Sequence, residues 1–443
     1  MKTINLSRRG FLKKTAAAAA GAVFGVPYVI NSSVLGAEAP SNRITIGCIG
    51  VGRMGLEDMQ EIMAFGQAQV VAVCDVDAKR LKYAQQLVEK HYNQKYPSGT
   101  YKGCAAYRDF RDLIARSDID AVSIVTPDHW HALPAIAAAK SGKDIYLEKP
   151  LTLTIKEGRL LSDTVRRYGR VFQVGSQQRS DSSFRFACEL VRNGRIGKLH
   201  TVKIGLPEDP ATGPRPPMPV PENLDYDMWL GPAPWAPYTE ERVHPQNDYS
   251  RPGWLRISDY GSGMITGWGS HHNDIAQWGM GTEYTGPVEI EGQTEYPRDG
   301  LWDVHGPFRI EYNYADGVKV ICADNIKNQQ GVVFEGTEGW VYVKRGYIDA
   351  HPKSLLSSTI KSNEIHLYKS NDHKANFLDC IKSRAETVAP VEIGHRSNTI
   401  CLLGAIAMRL GRKLKWSPER ECFINDDEAN RMLAKPMRSP WHL

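Results

Sequence analysis

The sequence predicts an α/β chain: a Rossmann-type, doubly wound parallel sheet, then an α+β half with a largely antiparallel open sheet. Three observations carry this. Between residues 43 and 175, short β-branched runs alternate with helical stretches, the pattern of βαβ units. Gly50, Gly52 and Gly55 stand between the first such strand and its helix. Beyond residue 176 the apolar runs change to two-residue alternation broken by glycine, as antiparallel strands with one buried face require.

The first 39 residues stand apart. Ser7-Arg8-Arg9-Gly10-Phe11-Leu12-Lys13 leads into an alanine-rich apolar stretch from Ala16 to Ile30, and Ala37-Glu38-Ala39 offers a small-residue cleavage site. Paired arginines before a short apolar core spell a twin-arginine export signal, too short for an ordinary membrane span. Export by the twin-arginine translocase to the periplasm, without stable membrane insertion after processing, is the expectation. Removing residues 1–39 leaves 50 basic against 49 acidic residues, so nothing in the charge favours nucleic acid or an anionic membrane. Eight cysteines are scattered without CxxC pairs, which disfavours a disulfide framework or a zinc site.

Residues 40–175 form the expected dinucleotide domain. The strand 43-RITIGCI-49 runs into Gly50-Val51-Gly52-Arg53-Met54-Gly55, a helix follows to about Phe65, and a second strand, 69-QVVAVC-74, ends at Asp75. Gly50 permits the tight turn, Gly52 lets backbone approach a pyrophosphate, and Gly55 allows close helix–strand packing. The helix N-terminus supplies N–H donors for the phosphates. Asp75, twenty residues past Gly55, suits ribose hydroxyls and repels a 2′-phosphate, favouring NAD over NADP. Lys79 and Arg80 are expected as solvated charges, and 91–104 as a polar insertion. A helix near 107–116, another at 155–169 and a strand at 170–175 complete the alternation.

The densest signal in this half is 126-TPDHWHALPAIAAAKSGKDIYLEKP-150. Two buried strands, 121-AVSIVTP-127 and 144-DIYL-147, end at Pro127 and at Glu148-Lys149-Pro150. The carboxyl ends of strands form the rim where ligands bind in open α/β sheets. A lysine there is a candidate acid/base group.

Residues 176–443 are expected as the substrate and oligomerisation domain. A proline-rich loop, 206–224, precedes alternating strands at 199–206, 308–314, 318–323 and 332–343, the last turning at Gly336 and Gly339. A final helix from about Ser397 to Leu410 packs back on the body. In 259-DYGSGMITGWGSHHNDIAQWGMG-281, Ser270 is a candidate N-cap. His271 and Asp274 then share a helical face and His272 points about 100° away. A helix N-terminus disfavours imidazolium, helping a histidine act as a neutral base. A metal site built from His129, His131, His271, His272 or Asp274 lacks any regular ligand spacing and is disfavoured. Of the tryptophans gathered in this half, Trp254, with Arg256 beside it, suits a sugar-binding wall better than the helical Trp278.

Together, Gly50-x-Gly52-x-x-Gly55, Asp75, 126-TPDHWH-131, Glu148-Lys149-Pro150, 176-SQQRS-180 and Gly269-x-His271-x-x-Asp274 resemble the Gfo/Idh/MocA oxidoreductases, named for glucose–fructose oxidoreductase and inositol dehydrogenase. The resemblance covers essentially the whole mature chain. It implies a tightly held NAD contacted by Gly50, Gly52, Arg53, Met54, Gly55 and Asp75, and on the other side by Pro127, His131, Glu148 and Gln177. It implies a sugar, glycoside or cyclitol substrate that gives hydride to nicotinamide, for example from C3 of a glycoside, with Lys149 polarising the hydroxyl and His271 accepting its proton. Arg179, Trp254, Arg256 and His272 are the expected substrate contacts. It also implies a homo-oligomer paired through the open sheet. One departure stands out: many members carry an aspartate four residues before the histidine, where this chain has Gly267. His272 or Asp259 would have to replace it, or the relay is simpler. Two other classes stay open: a redox-assisted glycosidase of the N-acetylgalactosaminidase type, and a cofactor-bearing sugar-binding protein without turnover.

Overall fold

The computed structural model describes residues 42–95, 101 and 103–443. The expected export signal and residues 96–100 and 102 of the polar insertion lie outside them. The six strands β1 (Ile44–Ile49), β2 (Ala68–Cys74), β3 (Ala105–Tyr107), β4 (Ala121–Ile124), β5 (Asp144–Leu147) and β6 (Phe172–Val174) form one sheet in the order β3-β2-β1-β4-β5-β6. Every pair is parallel. β1, β4 and β5 are almost wholly buried, which explains their unbroken apolar runs. Strand order reverses between β1 and β4, opening a crevice past their carboxyl ends.

Around this sheet lie α1 (Arg53–Ala64), α2 (Ala78–Lys95), α3 (Ala132–Lys140) and α4 (Ile155–Arg167). Thr154 and Glu157 close a reciprocal capping box at the start of α4, two orphan donors satisfied at once. The expected polar insertion begins later than residue 91. Leu81, Ala84, Val88 and Tyr92 continue one buried stripe of α2 at helical spacing, so the helix runs on through Lys95. The expected helix at 107–116 shrinks to Phe110–Ile114 behind its Asp109 cap.

The second sheet has nine strands: β7 (Leu199–Leu206), β8 (Glu289–Thr294), β9 (Phe308–Asn313), β10 (Lys319–Asp324), β11 (Gly331–Gly336), β12 (Trp340–Lys344), β13 (Tyr347–His351), β14 (Leu414–Ser417) and β15 (Cys422–Phe423). All its pairs are antiparallel except β7 with β10. Against it pack α5 (Ser182–Arg192), α6 (Met264–Gly267), α7 (Gly269–Met280) and α9 (Val391–Leu410), whereas α8 (His373–Ser383) buries Phe377, Leu378, Cys380 and Ile381 in the core of the first sheet. The helix expected from Ser397 starts six residues earlier, directly after Pro390, and it is not the final one: a short helix, Asp427–Arg431, follows. Ser270 is not a cap: α7 begins at Gly269 behind Trp268, and the Ser270 hydroxyl is buried without a partner. All eight cysteines are free thiols. Among the described residues no helix is long and apolar enough to cross a membrane.

Candidate active site

The crevice at the β1/β4 switch is a cleft of about 620 Å³, and its floor is built by what glycine lacks. Gly50 has φ +81°, and a Cβ there would stand 2.6 Å from the Val125 carbonyl oxygen. A Cβ on Gly55 would stand 2.0 Å from Gly50 O, so Gly55 lies beneath the turn and lets α1 close on it. Gly52 is different: a Cβ there would meet only Arg80, at 3.8 Å, so its backbone faces open space. The N-terminus of α1 has no side-chain cap and no acidic residue in its first turn, leaving N–H donors and a positive dipole end for an anion. Asp75 accepts from Val51 N and from Asp77 N, both at 2.9 Å, while burial pushes its carboxyl up. These features fit a dinucleotide. Gly50, Gly52, Arg53, Met54, Asp75, Pro127, His131, Glu148 and Gln177 all line the cleft.

A strap from the second half closes one side. Lys79 is exposed as expected, but Arg80 is buried: its guanidinium donates to Pro245 O at 2.7 Å and Asp248 O at 3.0 Å, and lies 4.4 Å over the Tyr249 ring. Asp77 accepts from Asn223 Nδ2 at 2.9 Å and pairs with His244 Nε2 at 3.0 Å. Burial alone would raise the Asp77 carboxyl, but these bonds outweigh it and hold it at about 2. Local sequence could not show this, because the partners of Arg80 lie more than 160 positions away.

At the other end, Lys149 emerges from β5 into the same cleft. Glu148 is held by the Tyr146 hydroxyl at 3.2 Å, Gln177 Nε2 at 2.8 Å and the Lys149 N–H at 3.2 Å. The His131 ring lies between Pro150 O at 2.6 Å and Thr126 O at 2.8 Å, tying the two strand ends together. Burial lowers it to about 4. Asp128 also lines the cleft; burial pushes its carboxyl up to about 8 against the pull of Lys149.

His271 reaches the cleft from the first turn of α7. Burial, then the neighbouring Lys149 and Arg345 cations, hold it well below the usual imidazole range, so the ring is neutral. An Arg345 N–H lies 3.3 Å from its Nε2, and its buried Nδ1 has no partner. Since a guanidinium only donates, the proton sits on Nδ1 and Nε2 keeps its lone pair. Arg345, at the β12–β13 tip, also lies 4.9 Å over the Trp268 ring. The sequence reading missed it; the turn at Gly346, φ +72°, was the available signal.

Trp254 lines the cleft as expected, but three proposed substrate contacts face elsewhere. Arg179 is buried, with its guanidinium on Asp274 at 2.6 and 2.8 Å and on Glu283 at 2.9 Å. Its charge is neutralised inside the fold. Arg256 turns to Asp209 at 3.3 Å and lies 4.7 Å over the Trp302 ring. His272, about 100° round the helix from His271, meets Gly205 O of β7 at 3.2 Å. Neither His272 nor Asp259 is on the cleft wall, whereas Gly267 is. Asp128, whose carboxyl feels the Lys149 charge, is on it as well. Among the described residues no group of three His, Cys, Asp or Glu could hold a metal ion.

A family model described as the oxidoreductase family's NAD-binding Rossmann fold matches residues 44–176, and one described as its C-terminal alpha/beta domain matches 212–443. Among curated relatives, the oxidoreductase YrbE of Bacillus subtilis is 32% identical over 186 residues, 42% of this chain and 48% of that protein. A glycosyl hydrolase family 109 protein of Shewanella baltica is 31% identical over 209 residues, 44% of each chain. The chain thus spans somewhat less than half the length of these relatives. Among solved structures, the WlbA dehydrogenase of Bordetella pertussis, in complex with NADH and UDP-GlcNAcA, has a TM-score of 0.61 at 17% identity, covering 85% of this chain and 99% of that one. A scyllo-inositol dehydrogenase of Lactobacillus casei, with bound NAD(H) and scyllo-inositol, has a TM-score of 0.56 at 17% identity, covering 84% and 99%. At such identities the likeness is one of fold. Both halves match their family models, and the switch-point crevice carries the dinucleotide features; the chain belongs to the Gfo/Idh/MocA oxidoreductase family, with its NAD-binding Rossmann fold at residues 44–176.

Proposed function

We propose that this protein is exported by the twin-arginine route to the periplasm and there oxidises a ring hydroxyl of a sugar, glycoside or cyclitol. The observation that carries the proposal is the convergence of Lys149 and His271 on the cleft that holds the dinucleotide turn. The nicotinamide, when bound, supplies the hydride acceptor. The chain's own groups manage the proton. Lys149 donates a hydrogen bond to the hydroxyl oxygen and steadies the developing alkoxide. His271, neutral and with its lone pair on Nε2, takes the hydroxyl proton. Asp128, whose carboxyl burial keeps mostly protonated at neutral pH, exchanges protons with solvent through Lys149, in the place of the aspartate absent at Gly267. Glu148 and His131 fix the backbone around Lys149, and Trp254 offers a flat apolar face to a pyranose ring. A homo-oligomer paired through the open sheet fits this reading.

The likeness to the family 109 glycosyl hydrolases supports a second reading: redox-assisted cleavage, in which one substrate is oxidised and then re-reduced. Net cofactor reduction separates the two. With a chromogenic glycoside, the dehydrogenase accumulates reduced nicotinamide, whereas the hydrolase releases aglycone and accumulates none.

A further inference from the structure

Arg345 is a cation that the proton chemistry does not use. It stands at the β12–β13 tip, enters the cleft beside His271, and rests on the Trp268 indole face. Among the described residues no carboxylate forms an ion pair with it; Glu148 and Asp181 draw on it only at longer range. Desolvation weighs against its charge. A guanidinium carries five N–H donors in a planar fork that matches the paired oxygens of a carboxylate or phosphate. Here the contact to His271 Nε2, at 3.3 Å, is long for a charge-assisted bond. That contact also covers the lone pair a base needs. Lys149, the other cation acting on His271, is committed to the reacting hydroxyl in the dehydrogenase mechanism. The fork of Arg345 is therefore a free recognition element beside the proposed base.

We propose that Arg345 recognises an anionic oxygen group on the substrate, which is therefore an acidic pyranoside, and that seating this anion draws the guanidinium off His271 Nε2. The proposal rests on the dehydrogenase reading. No proton moves with Arg345. Its N–H exchanges an imidazole acceptor for the substrate anion, and the uncovered nitrogen then takes the hydroxyl proton as the ring carbon's hydride leaves for nicotinamide. The Trp268 face supports the guanidinium in both positions through its π-cloud.

The test uses the NAD-loaded protein and matched sugars in gluco, galacto and manno configuration: neutral methyl glycoside, methyl glycuronide and sugar 6-phosphate. In the wild type, at least one acidic series should exceed its neutral partner about tenfold or more in kcat/KM, the gain from one charge-assisted bidentate contact. Which series it is identifies carboxylate or phosphate. In Arg345→Gln that ratio should fall to about one, chiefly through KM, and Arg345→Lys should restore part of it. Equal or better use of neutral sugars by the wild type, or a uniform loss across all sugars in Arg345→Gln, would overturn the proposal. Fluorescence titration with glucuronate, glucose 6-phosphate and glucose separates the two claims. Selective anion binding without oxidation would leave anion recognition standing and remove the dehydrogenase reading; unselective binding would remove the recognition itself. NAD content and Tm confirm that each variant is folded.

Discussion

Replacing Arg179 by methionine separates a residue that holds the fold from one that holds substrate. The guanidinium is 2% exposed, its partner Asp274 1%, and Asp274 sits one turn along α7 from His271. Methionine fills much of the same volume but leaves Asp274 with only the Ser397 hydroxyl, at 2.7 Å. Stranding one member of a buried pair costs about 3–5 kcal/mol. Across the roughly 400 residues of the folded body, at about 2.1 cal/mol/K of unfolding entropy per residue, that lowers Tm by about 4–6 °C. Differential scanning fluorimetry on the NAD-loaded protein reads it directly. Adding Asp274→Leu should recover most of the loss, since an apolar pair of similar volume replaces a buried ion pair at little cost. A Tm within about 1 °C of wild type, well below that expected drop, together with a raised KM for sugar would refute this placement of Arg179.

Further outcomes follow from the cleft. Gly52→Ala should purify without NAD yet melt with the NAD-stripped wild type, because its Cβ meets only Arg80 at 3.8 Å but stands where the pyrophosphate must come; Gly55→Ala, 2.0 Å from a backbone oxygen, should lose about 1–3 kcal/mol of stability as well. Asp128, raised from 3.8 to about 8, favours its protonated form in the fold, so its stabilisation is present below pH 4 and lost as pH rises through 8, at about 1.4 kcal/mol for each pH step of one between them. The Tm of Asp128→Asn should accordingly fall less steeply than wild type between those limits, and parallel curves would count against a buried carboxyl there. His244→Ala, which removes the 3.0 Å contact to Asp77, should speed NAD release about fivefold, the equivalent of roughly 1 kcal/mol, as followed by dilution into a nucleotide trap.

The parts of the fold that sequence displayed were those written locally. The Gly50–Gly55 turn, the buried β4 and β5 runs and the Lys149 position follow from glycine punctuation and unbroken apolar stretches within a few dozen residues. The strap and the Arg345 tip are long-range contacts between polar groups, and no local periodicity records them. Arg179, Arg256 and His272 were misread for the same reason. A polar residue near a motif looks like a ligand contact until its buried partner, Asp274, Asp209 or the Gly205 carbonyl, is seen. Helix limits moved where tertiary burial overrode composition, as at Tyr92 in α2, or where a turn joined two helices, as at Trp268.

In the proposed reaction the nicotinamide accepts hydride from a sugar carbon while Lys149 steadies the developing alkoxide. The most direct measurement is absorbance of reduced nicotinamide when the protein, purified with its own cofactor, meets a panel of neutral and acidic glycosides, beside Lys149→Ala. NAD should be released on denaturation, at least one glycoside should reduce it, and that reduction should fall about a thousandfold or more in the variant, which loses the donor to the developing alkoxide. A protein that carries no nicotinamide, or a Lys149→Ala variant that reduces it as fast as wild type, would contradict it.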